Sequence, residues 1–585
     1  RRGMEYRLTR IDKKINMPLL HAALVMTMAL VIGFLSSNVA AADAHTDADT
    51  AGLVNPVLLE LQAKQPPKFT KMADRVYASE FLDYSNFGFI EGDDGVIVID
   101  SGWFPSAAGT AIETLRRYTD KPVVAIIYTH MHMDHFGGIG KIMAGQNADV
   151  PVYGPGGWRK WMRALEGIDR ESMLRRVYLQ MGMMLPKGPE GTVGNGIGPS
   201  PNPEPPMPFK FPPTIDVYDK LEVEIAGVKL HIMPMEGDVP EHLWVWLPED
   251  RVLFSGDSPP HGVFPAVETA RFEIDRNPQR MLDAVETTLA LNPSLVVPGH
   301  GRLLQGEADI QELMSLTRDA IEFLVDQTFR FYLSNRSIDE LLDTQHLPPA
   351  IAAHPDLQPY YHRWEWMAQQ RFVKLAGFID DSMDYLSFTD IDEARQLIPA
   401  LGGRTAVLER ATKALAHDPR WAAQLATYLL LNDAGDADAR ALRQQAFQGV
   451  AATTISTNQR NYLLGIIREE RGEIDFTRDL AALNRQTFAR FTNYDLLRRL
   501  KYRFRAEDAD DVNLSTMVAV DNEAFLLSVQ NNVLRIDTPM PEETGDAALS
   551  LSREDLLDVV TRVQGLSDIA GWDQGEAAML AGLIE

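Results

Sequence analysis

One short segment restricts what this chain can fold into and which chemistry it can hold. Residues 129–138 read Thr-His-Met-His-Met-Asp-His-Phe-Gly-Gly, so that three histidines and one carboxylate fall within six positions. The preceding residues 123–128 form a continuous apolar, β-branched run, which predicts a buried strand. Gly137 and Gly138 allow close backbone packing where a helix begins. We therefore expect the histidine-rich loop at the carboxyl end of a strand, where α/β folds place their chemistry.

The chain contains no cysteine, which excludes disulfides and thiolate metal sites. Imidazole and carboxylate groups are the zinc ligands that remain. A chance cluster of polar loop residues is the alternative, but the strand, the ligands and the two glycines occur together and in order. The pattern resembles the HxHxDH signature of the metallo-β-lactamase superfamily. This resemblance implies that His130 and His132 bind one zinc ion and that Asp134 and His135 bind a second.

Later segments extend the resemblance. Residues 251–257 read as a strand that ends in an acid, and residues 294–301 as a strand that ends in a histidine. The resemblance implies that Asp257 bridges the two metals and that His300 is the last ligand. It also implies that Asp100, after the strand 96–99, supports the metal loop; the alternative is that Asp100 caps the next helix. The order of elements from residue 76 resembles the opening of the superfamily's αββα sandwich.

The third ligand of the first zinc departs from the superfamily pattern. Most members have a histidine there, whereas an alignment from Asp257 back through Leu247 and Pro240 places Asp238 at this position. The alkylsulfatase branch also has an acid there, a glutamate followed by Ala-Pro, which Asp238-Val239-Pro240 resembles. Three other residues of this turn stay open as alternatives: Glu236, Glu241 and His242.

Length and charge limit the class of protein. At 585 residues, two to four domains are expected, and a net charge of −26 disfavours a general nucleic-acid binder. Residues 1–44 combine a basic start, the apolar run 17–35 and small residues, which predicts a signal peptide. An uncleaved membrane anchor is the alternative. We therefore expect a periplasmic or secreted bacterial protein without a stable membrane span after cleavage.

We divide the rest of the chain into three parts. Residues 45–312 are expected to form the dizinc hydrolase domain. Residues 313–482 are helical and resemble the alkylsulfatase dimerisation domain, which implies a homodimer. Residues 483–585 contain three short strands and a Ser552–Asp555 capping box, and they resemble an α+β sterol-carrier-protein-like domain. The predicted fold class is thus α/β, with an all-α and an α+β domain following the sandwich.

The segment between the zinc loop and the second group of strands is expected to line the substrate site. Residues 158–185 are predicted to be largely helical, and residues 191–213 are rich in glycine and proline, as substrate-lining loops often are. The segment carries a basic cluster of Arg159, Lys160, Arg163, Arg170, Arg175, Arg176 and Lys187. In an acidic protein this cluster could steer an anionic substrate, although a solvated helix face is the alternative.

The resemblance implies a secreted, zinc-dependent alkylsulfatase that cleaves amphiphilic alkyl sulfates such as dodecyl sulfate with a zinc-bound hydroxide. Asp134 and Asp257 would be its catalytic carboxylates. The family grips sulfate with a Tyr-Gly-Asn triplet, a glycine and an arginine. Here the triplet falls on Met181-Gly182-Met183, the glycine on Gly198 and the arginine near Arg371.

The two methionines cannot donate hydrogen bonds to sulfate, although they suit an apolar leaving group. Either Arg175, Arg176, Lys187 or Arg371 rebuilds the sulfate site, or the substrate is different. The alternatives are a dizinc hydrolase of another apolar ester or lactone, a non-catalytic lipid-binding protein, and a β-lactamase.

Overall fold

Short apolar strands pair into two sheets in the first half of the chain. The computed structural model describes residues 52–160, 169–201, 204, 210–259, 262–268, 276–378, 384–386, 388–538 and 549–585. The first sheet contains β1 Lys68–Lys71, β2 Val76–Glu80, β3 Gly88–Glu91, β4 Val96–Ile99, β5 Val123–Ile127, β6 Val152–Pro155 and β7 Ile215–Val217. These strands pair in chain order, antiparallel up to β4 and parallel from β4 to β7. All of β4 is buried, as its continuous apolar run predicts.

The second sheet places two chain segments of interest side by side. It contains β8 Leu221–Ile225, β9 Val228–Pro234, β10 Leu243–Leu247, β11 Val252–Gly256, β12 Leu295–Pro298 and β13 Leu304–Gln305. Its order is β13-β12-β11-β10-β9-β8. β11 and β12 are parallel, so their carboxyl ends meet at the same edge. Asp257 follows β11 directly and His300 follows β12 by two residues, which brings both side chains to this edge.

Helices cover the outer faces of the two sheets. The helices of this half of the chain are α1 Pro56–Ala63, α2 Pro105–Leu115, α3 Met133–Phe136, α4 Ile139–Ile142, α5 Asp169–Met181 and α6 Pro278–Leu291. One apolar layer lies between the sheets and includes Ile97 and Val245. A second joins α2 and α4 to the first sheet, and a third joins α6 to the second sheet. This layering confirms the predicted αββα sandwich.

The chain then becomes helical, as predicted from about residue 310. The helices are α7 Glu307–Leu333, α8 Ile338–Thr344, α9 Pro349–Ala353, α10 Trp364–Ala376, α11 Asp390–Ala400, α12 Gly403–Ala414, α13 Pro419–Asn432, α14 Ala437–Thr453, α15 Thr457–Glu470, α16 Phe476–Phe488 and α17 Asn493–Leu500. Asp418 caps α13 and separates it from α12, as its Asp-Pro pair predicts. Helices α7 and α10 share an apolar core with the second sheet. α15 packs on α5.

The last part of the chain has its own apolar core. β14 Leu514–Val520, β15 Glu523–Gln530 and β16 Val533–Asp537 form the predicted antiparallel strands, and β17 Leu549–Leu551 adds a parallel strand that the sequence pattern did not predict. Two helices, α18 Arg553–Val560 and α19 Gly575–Ile584, complete this part. Ser552 and Asp555 form the predicted capping box of α18. The likeness of this part to a sterol carrier protein stays a prediction.

Two predicted segments lie wholly or partly outside the residues that the structure describes. The predicted signal peptide of residues 1–44 lies outside the described residues, as do residues 161–168 of the predicted helical segment 158–185. In the part of the chain that is described, no helix combines the length and apolarity needed to cross a bilayer. The three domain boundaries given above stay predictions.

Candidate metal centre

The histidine-rich loop follows β5 and turns directly into the short helix α3. His130 and His132 precede this helix, whereas Asp134 and His135 lie within it. A Cβ atom on Gly137 would lie 2.3 Å from the carbonyl oxygen of Trp103. Glycine is therefore required where the loop packs against the segment after β4. The sequence prediction of a strand, a ligand loop and a close-packed helix start is confirmed.

A first group of donor atoms lies at the end of this loop. It combines His130, His132, Asp238 and Asp257, whose potential ligand atoms all lie within 4.8 Å of one another. His132 Nδ1 is 3.1 Å from Asp238 Oδ2. His130 Nε2 is 3.8 Å from Asp238 Oδ2 and 3.8 Å from Asp257 Oδ2. The structure thus brings together residues that are more than one hundred positions apart.

A second group contains Asp134, His135 and His300. Asp134 Oδ2 is 3.5 Å from His135 Nε2 and 3.2 Å from His300 Nε2. Asp257 lies beside this group as well, with Oδ1 3.3 Å from His135 Nε2 and Oδ2 3.2 Å from His300 Nε2. The Asp257 carboxylate therefore stands between the two groups, as a bridging ligand would.

The donor atoms of these groups fit a metal centre. His135 Nε2, Asp238 Oδ1 and Asp257 Oδ1 are buried and have no hydrogen-bond partner among the described residues. Buried polar atoms normally have partners, because leaving them unpaired costs free energy. Converging imidazole nitrogens and carboxylate oxygens are a donor set that suits zinc.

Close packing of these groups shifts their protonation. Burial disfavours a charged His300, but Asp257 and Asp134 outweigh burial and raise the His300 pKa to about 9. His135 is also buried, and the carboxylates of Asp257, Asp134 and Asp100 hold its pKa well above the usual value. Burial opposes ionisation of Asp257, yet His300 and His135 hold its pKa well below the usual range. The cluster therefore favours ionised carboxylates and, without a metal, protonated His135 and His300.

Asp100 supports the loop through three contacts. Its carboxylate accepts hydrogen bonds from the backbone N–H of Thr129 at 2.8 Å and from the Thr129 hydroxyl at 2.7 Å. Asp100 Oδ2 lies 2.8 Å from His135 Nδ1. Since the carboxylate accepts, His135 donates from Nδ1 and turns Nε2 toward the cluster. The alternative role as a helix cap does not apply, because Phe104 is the N-cap of α2.

Two further contacts hold the cluster from outside. His300 Nδ1 lies 2.9 Å from the carbonyl oxygen of Tyr84, and the two rings pack with their centroids 4.7 Å apart. Arg276 Nη2 lies 3.2 Å from Asp238 Oδ2, and both side chains are buried. The sequence reasoning missed Tyr84 and Arg276, because neither belongs to a motif and both reach the cluster only through folding.

The three alternative ligands lie outside both donor groups. Glu236 forms an ion pair with Arg280 at the surface. His242 Nε2 accepts the backbone N–H of Asp257 at 3.1 Å and so positions that residue. Glu241 approaches Gly157 instead. Within the described residues, Asp238 is thus the residue of this turn that belongs to a donor group.

Three of the four cationic side chains that were expected to bind sulfate are engaged with other residues of the chain. Arg175 binds both carboxylate oxygens of Glu469 at 2.7 Å. Arg371 Nη1 lies 3.1 Å from Glu268 Oε1, and Lys187 donates to the Ser200 carbonyl at 3.2 Å. Glu268 is buried, and Lys374 also pairs with it. The sequence reasoning missed Glu268 because nothing around it marks a site.

The remaining residues that were expected to bind substrate are Met181, Met183, Gly198 and Arg176. Met181 and Met183 are buried in an apolar cluster that also contains Tyr84. A Cβ atom on Gly198 would lie 2.7 Å from the Tyr84 carbonyl oxygen. Since Tyr84 also contacts His300, Gly198 lies near the metal cluster. Arg176 is exposed on α5.

Comparisons with known proteins agree with this architecture. The Metallo-beta-lactamase superfamily profile matches residues 81–300, and the Alkyl sulfatase dimerisation profile matches residues 337–473. A linear primary-alkylsulfatase of Pseudomonas sp. (strain ATCC 19151) is 28% identical over 475 residues, covering 79% of this chain and 83% of that protein. The alkyl/aryl-sulfatase BDS1 of Saccharomyces cerevisiae is 25% identical over 522 residues, covering 86% of this chain and 79% of that protein.

The fold has a similar counterpart among solved structures. The stereoselective inverting sec-alkylsulfatase Pisa1 from Pseudomonas sp. superposes with a TM-score of 0.69 at 21% identity, covering 93% of this chain and 88% of the other. This likeness supports the fold, and the two sequence profiles identify both parts of it. The chain therefore contains a metallo-β-lactamase domain followed by an alkyl sulfatase dimerisation domain, and the two relatives named above are alkylsulfatases.

Proposed function

We propose that this protein is a zinc-dependent hydrolase that cleaves alkyl sulfate esters to an alcohol and sulfate. The observation that carries the proposal is the pair of donor groups joined by Asp257, in a chain whose relatives are alkylsulfatases. In this reaction water is added across one bond of the C–O–S ester linkage. Cleavage of the S–O bond puts the water oxygen in sulfate and a proton on the departing alkoxide, whereas cleavage of the C–O bond puts the water oxygen in the alcohol; either way the products are the alcohol, sulfate and one proton.

In this proposal His130, His132 and Asp238 would hold one zinc ion and Asp134, His135 and His300 would hold the other, with Asp257 as a donor available to both. Zinc ions bound there would supply Lewis acidity toward the ester and a nucleophile from water at neutral pH. Asp100 fixes the His135 tautomer. The Tyr84 carbonyl fixes that of His300.

Arg276 balances charge within the proposed site. Asp238 stands where most of the superfamily has a neutral histidine, so the first group carries one more negative charge. The buried guanidinium of Arg276 lies against this carboxylate and offsets the charge. Asp238 and Arg276 thus act as a pair that keeps the cluster able to accept an anionic substrate.

The surroundings of the cluster suit an apolar leaving group. Met181 and Met183 replace the polar groups expected to bind sulfate, and they pack with Tyr84, Trp244 and Phe264 in one apolar cluster. Such a lining excludes water and accepts an alkyl chain. The same lining favours the second candidate function, which is hydrolysis of another apolar ester or a lactone.

The proposal extends to location and assembly. We infer a periplasmic or secreted homodimer, from the predicted signal peptide and from the match to the dimerisation domain. A sterol-carrier-like C-terminal domain would help to present amphiphiles to the site. Light scattering of the purified mature chain tests the dimer, and amino-terminal sequencing of the secreted protein tests cleavage near residue 44.

The deciding experiment measures sulfate release from dodecyl sulfate, together with the metal content of the purified protein. We expect zinc-dependent release and about two zinc ions per chain, as in dinuclear hydrolases of this kind. His300→Ala should abolish release, whereas His231→Gln, on strand β9 away from the cluster, should not. Two zinc ions without sulfate release would move the proposal to carboxylic esters and lactones. No bound zinc would overturn the assignment of the ligands.

A further inference from the structure

A cavity of about 480 Å³ lies between α5, α10 and the first turns of α15. Arg176 and Gln180 of α5, Asn458 of α15 and Trp366 of α10 line it, together with His362. None of its lining residues belongs to the metal cluster. The cavity is a separate feature of the helical region, and nothing in the proposed hydrolysis uses it.

The inner wall of this cavity presents buried amide groups. Asn458 is 3% exposed, and within the described residues neither its Oδ1 nor its Nδ2 has a hydrogen-bond partner. Gln180 is 7% exposed, and its Nε2 likewise has no partner there. Buried amide N–H groups without acceptors are costly in a folded protein. A ligand that brings acceptor oxygens would accept hydrogen bonds from the N–H groups of both side chains.

Positive charge reaches the same cavity from two directions. Arg176 is exposed and forms no ion pair with another described residue, whereas the adjacent Arg175 is bound to Glu469. Asn458 is the second residue of α15 after its N-cap Ser456, so it lies at the positive end of that helix. Both features favour an anion.

The remaining wall is apolar. Trp366 and Leu463 line the cavity beside the amides. A free oxyanion would contact the amides and Arg176 only, whereas an oxyanion attached to an alkyl group would also contact this apolar wall. We propose that this cavity is a second binding site for a sulfate or sulfonate group, either as the free anion or as the head of an alkyl chain.

Three aromatic side chains in succession, His362, Tyr361 and Tyr84, connect this site to His300 of the metal cluster. The His362 and Tyr361 rings pack with their centroids 4.5 Å apart. The Tyr361 hydroxyl lies 3.2 Å from that of Tyr84, whose ring packs on His300. A group held in the cavity is thus separated from the metal cluster by these side chains, and it would occupy a site of its own. The proposal goes beyond hydrolysis, because binding in the cavity requires no metal.

The test is calorimetric titration of the full-length, chelator-treated protein with sodium sulfate and, separately, with octanesulfonate below its micelle concentration. We expect one binding event per chain that survives metal removal. Asn458→Asp keeps the size of the side chain but adds a negative charge, so it should abolish binding. Arg176→Gln should weaken binding by about tenfold, because it removes one charged contact.

Arg175→Gln is the matched control, since it removes the same charge from the same helix at a residue that does not line the cavity. It should leave binding within about twofold, because an exposed charge acts weakly at a distance. If only octanesulfonate binds, the ligand of the cavity is the head group of an amphiphile. If sulfate binds equally well, the ligand is the free anion. Absence of binding by both, or binding unchanged in Asn458→Asp, would overturn the proposal. Circular dichroism confirms that each variant is folded.

Discussion

At the scale of single residues, Asp238 decides how the first donor group is completed. Replacing Asp238 with alanine removes one donor and leaves Arg276 buried without its carboxylate partner. We expect metal content to fall from about two zinc ions to about one per chain, because the first group then keeps only His130, His132 and an Asp257 carboxylate that the second group also contacts. Elemental analysis after dialysis measures this change.

Glu241→Gln and Glu236→Gln are the controls for this substitution. Both remove a carboxylate from the same turn, yet neither residue lies in a donor group. Both variants should keep the full metal content. If Glu241→Gln loses one zinc ion while the Asp238 variant retains two, Asp238 is not the ligand.

Replacing Asp100 tests how much its contact with His135 contributes to zinc affinity. Asp100→Asn preserves the size of the side chain, and asparagine tolerates the left-handed backbone found there, with φ 55°. Its amide still accepts one bond, but the carboxylate charge beside His135 is lost. We expect zinc affinity to fall by about 10–100-fold, as is usual for such supporting groups. Competition with a chromogenic chelator measures the affinity, and an unchanged value would show that the carboxylate contributes nothing to metal binding.

The raised histidine pKa values predict that zinc displaces protons. Without metal, His300 has a pKa of about 9, and the His135 pKa is also raised, so both imidazoles are protonated at pH 7.5. An imidazole must lose its extra proton before it can bind zinc, so zinc binding releases these protons. Zinc affinity should therefore increase as pH rises toward about 9. Calorimetry in two buffers of different ionisation enthalpy counts the protons. Equal binding enthalpies in the two buffers would contradict the prediction.

At the scale of elements, Arg460 joins helix α15 to segments that are distant in the chain. Its fully buried guanidinium donates to the carbonyls of Leu53, Ala451, Pro189 and Gly191. Arg460→Met keeps an unbranched side chain but leaves these carbonyls unpaired. We expect a loss of about 3 kcal/mol in the free energy of unfolding, since each buried unpaired group costs about 1–3 kcal/mol.

The control for Arg460 lies two turns further along α15. Arg468 is partly exposed and pairs with Glu473 across a turn. Arg468→Gln should cost at most about 1 kcal/mol, because exposed ion pairs contribute little. Urea denaturation compares the two variants, and similar losses would mean that Arg460 does not anchor the glycine-rich loop.

At the scale of the whole molecule, the net charge of −26 opposes the approach of an anionic substrate. The basic cluster could reverse this effect locally, but Arg175 is paired and Lys187 is engaged with a backbone carbonyl. We therefore expect kcat/KM for alkyl sulfates to increase when salt is raised from about 0.01 M to 0.1 M, which shortens the screening length to about 10 Å. Sodium and potassium chloride should act alike. A decrease in kcat/KM with salt would instead show that the basic cluster steers the substrate.

Local sequence was sufficient for the elements that depend on near neighbours. The apolar runs at 123–128 and 295–298 predicted buried strands, and Ser552 predicted a helix start, because strand burial and helix capping involve residues close in the chain. The spacing of His130, His132, Asp134 and His135 was visible for the same reason, since one loop carries all four.

Only the tertiary structure decided how distant segments combine. Parallel pairing of β11 and β12 places Asp257 beside His300, and the turn before β10 brings Asp238 to His132. Arg276, Tyr84 and Glu268 belong to no motif, and their roles follow from burial beside partners far away in the chain. The sequence also did not show which arginine is free to bind a ligand, because Arg175 and Arg176 are adjacent. Packing of α15 gives Arg175 a carboxylate partner, whereas Arg176 lines the cavity. A sequence pattern records neighbours along the chain, whereas a site depends on which side chains folding brings within a few ångströms.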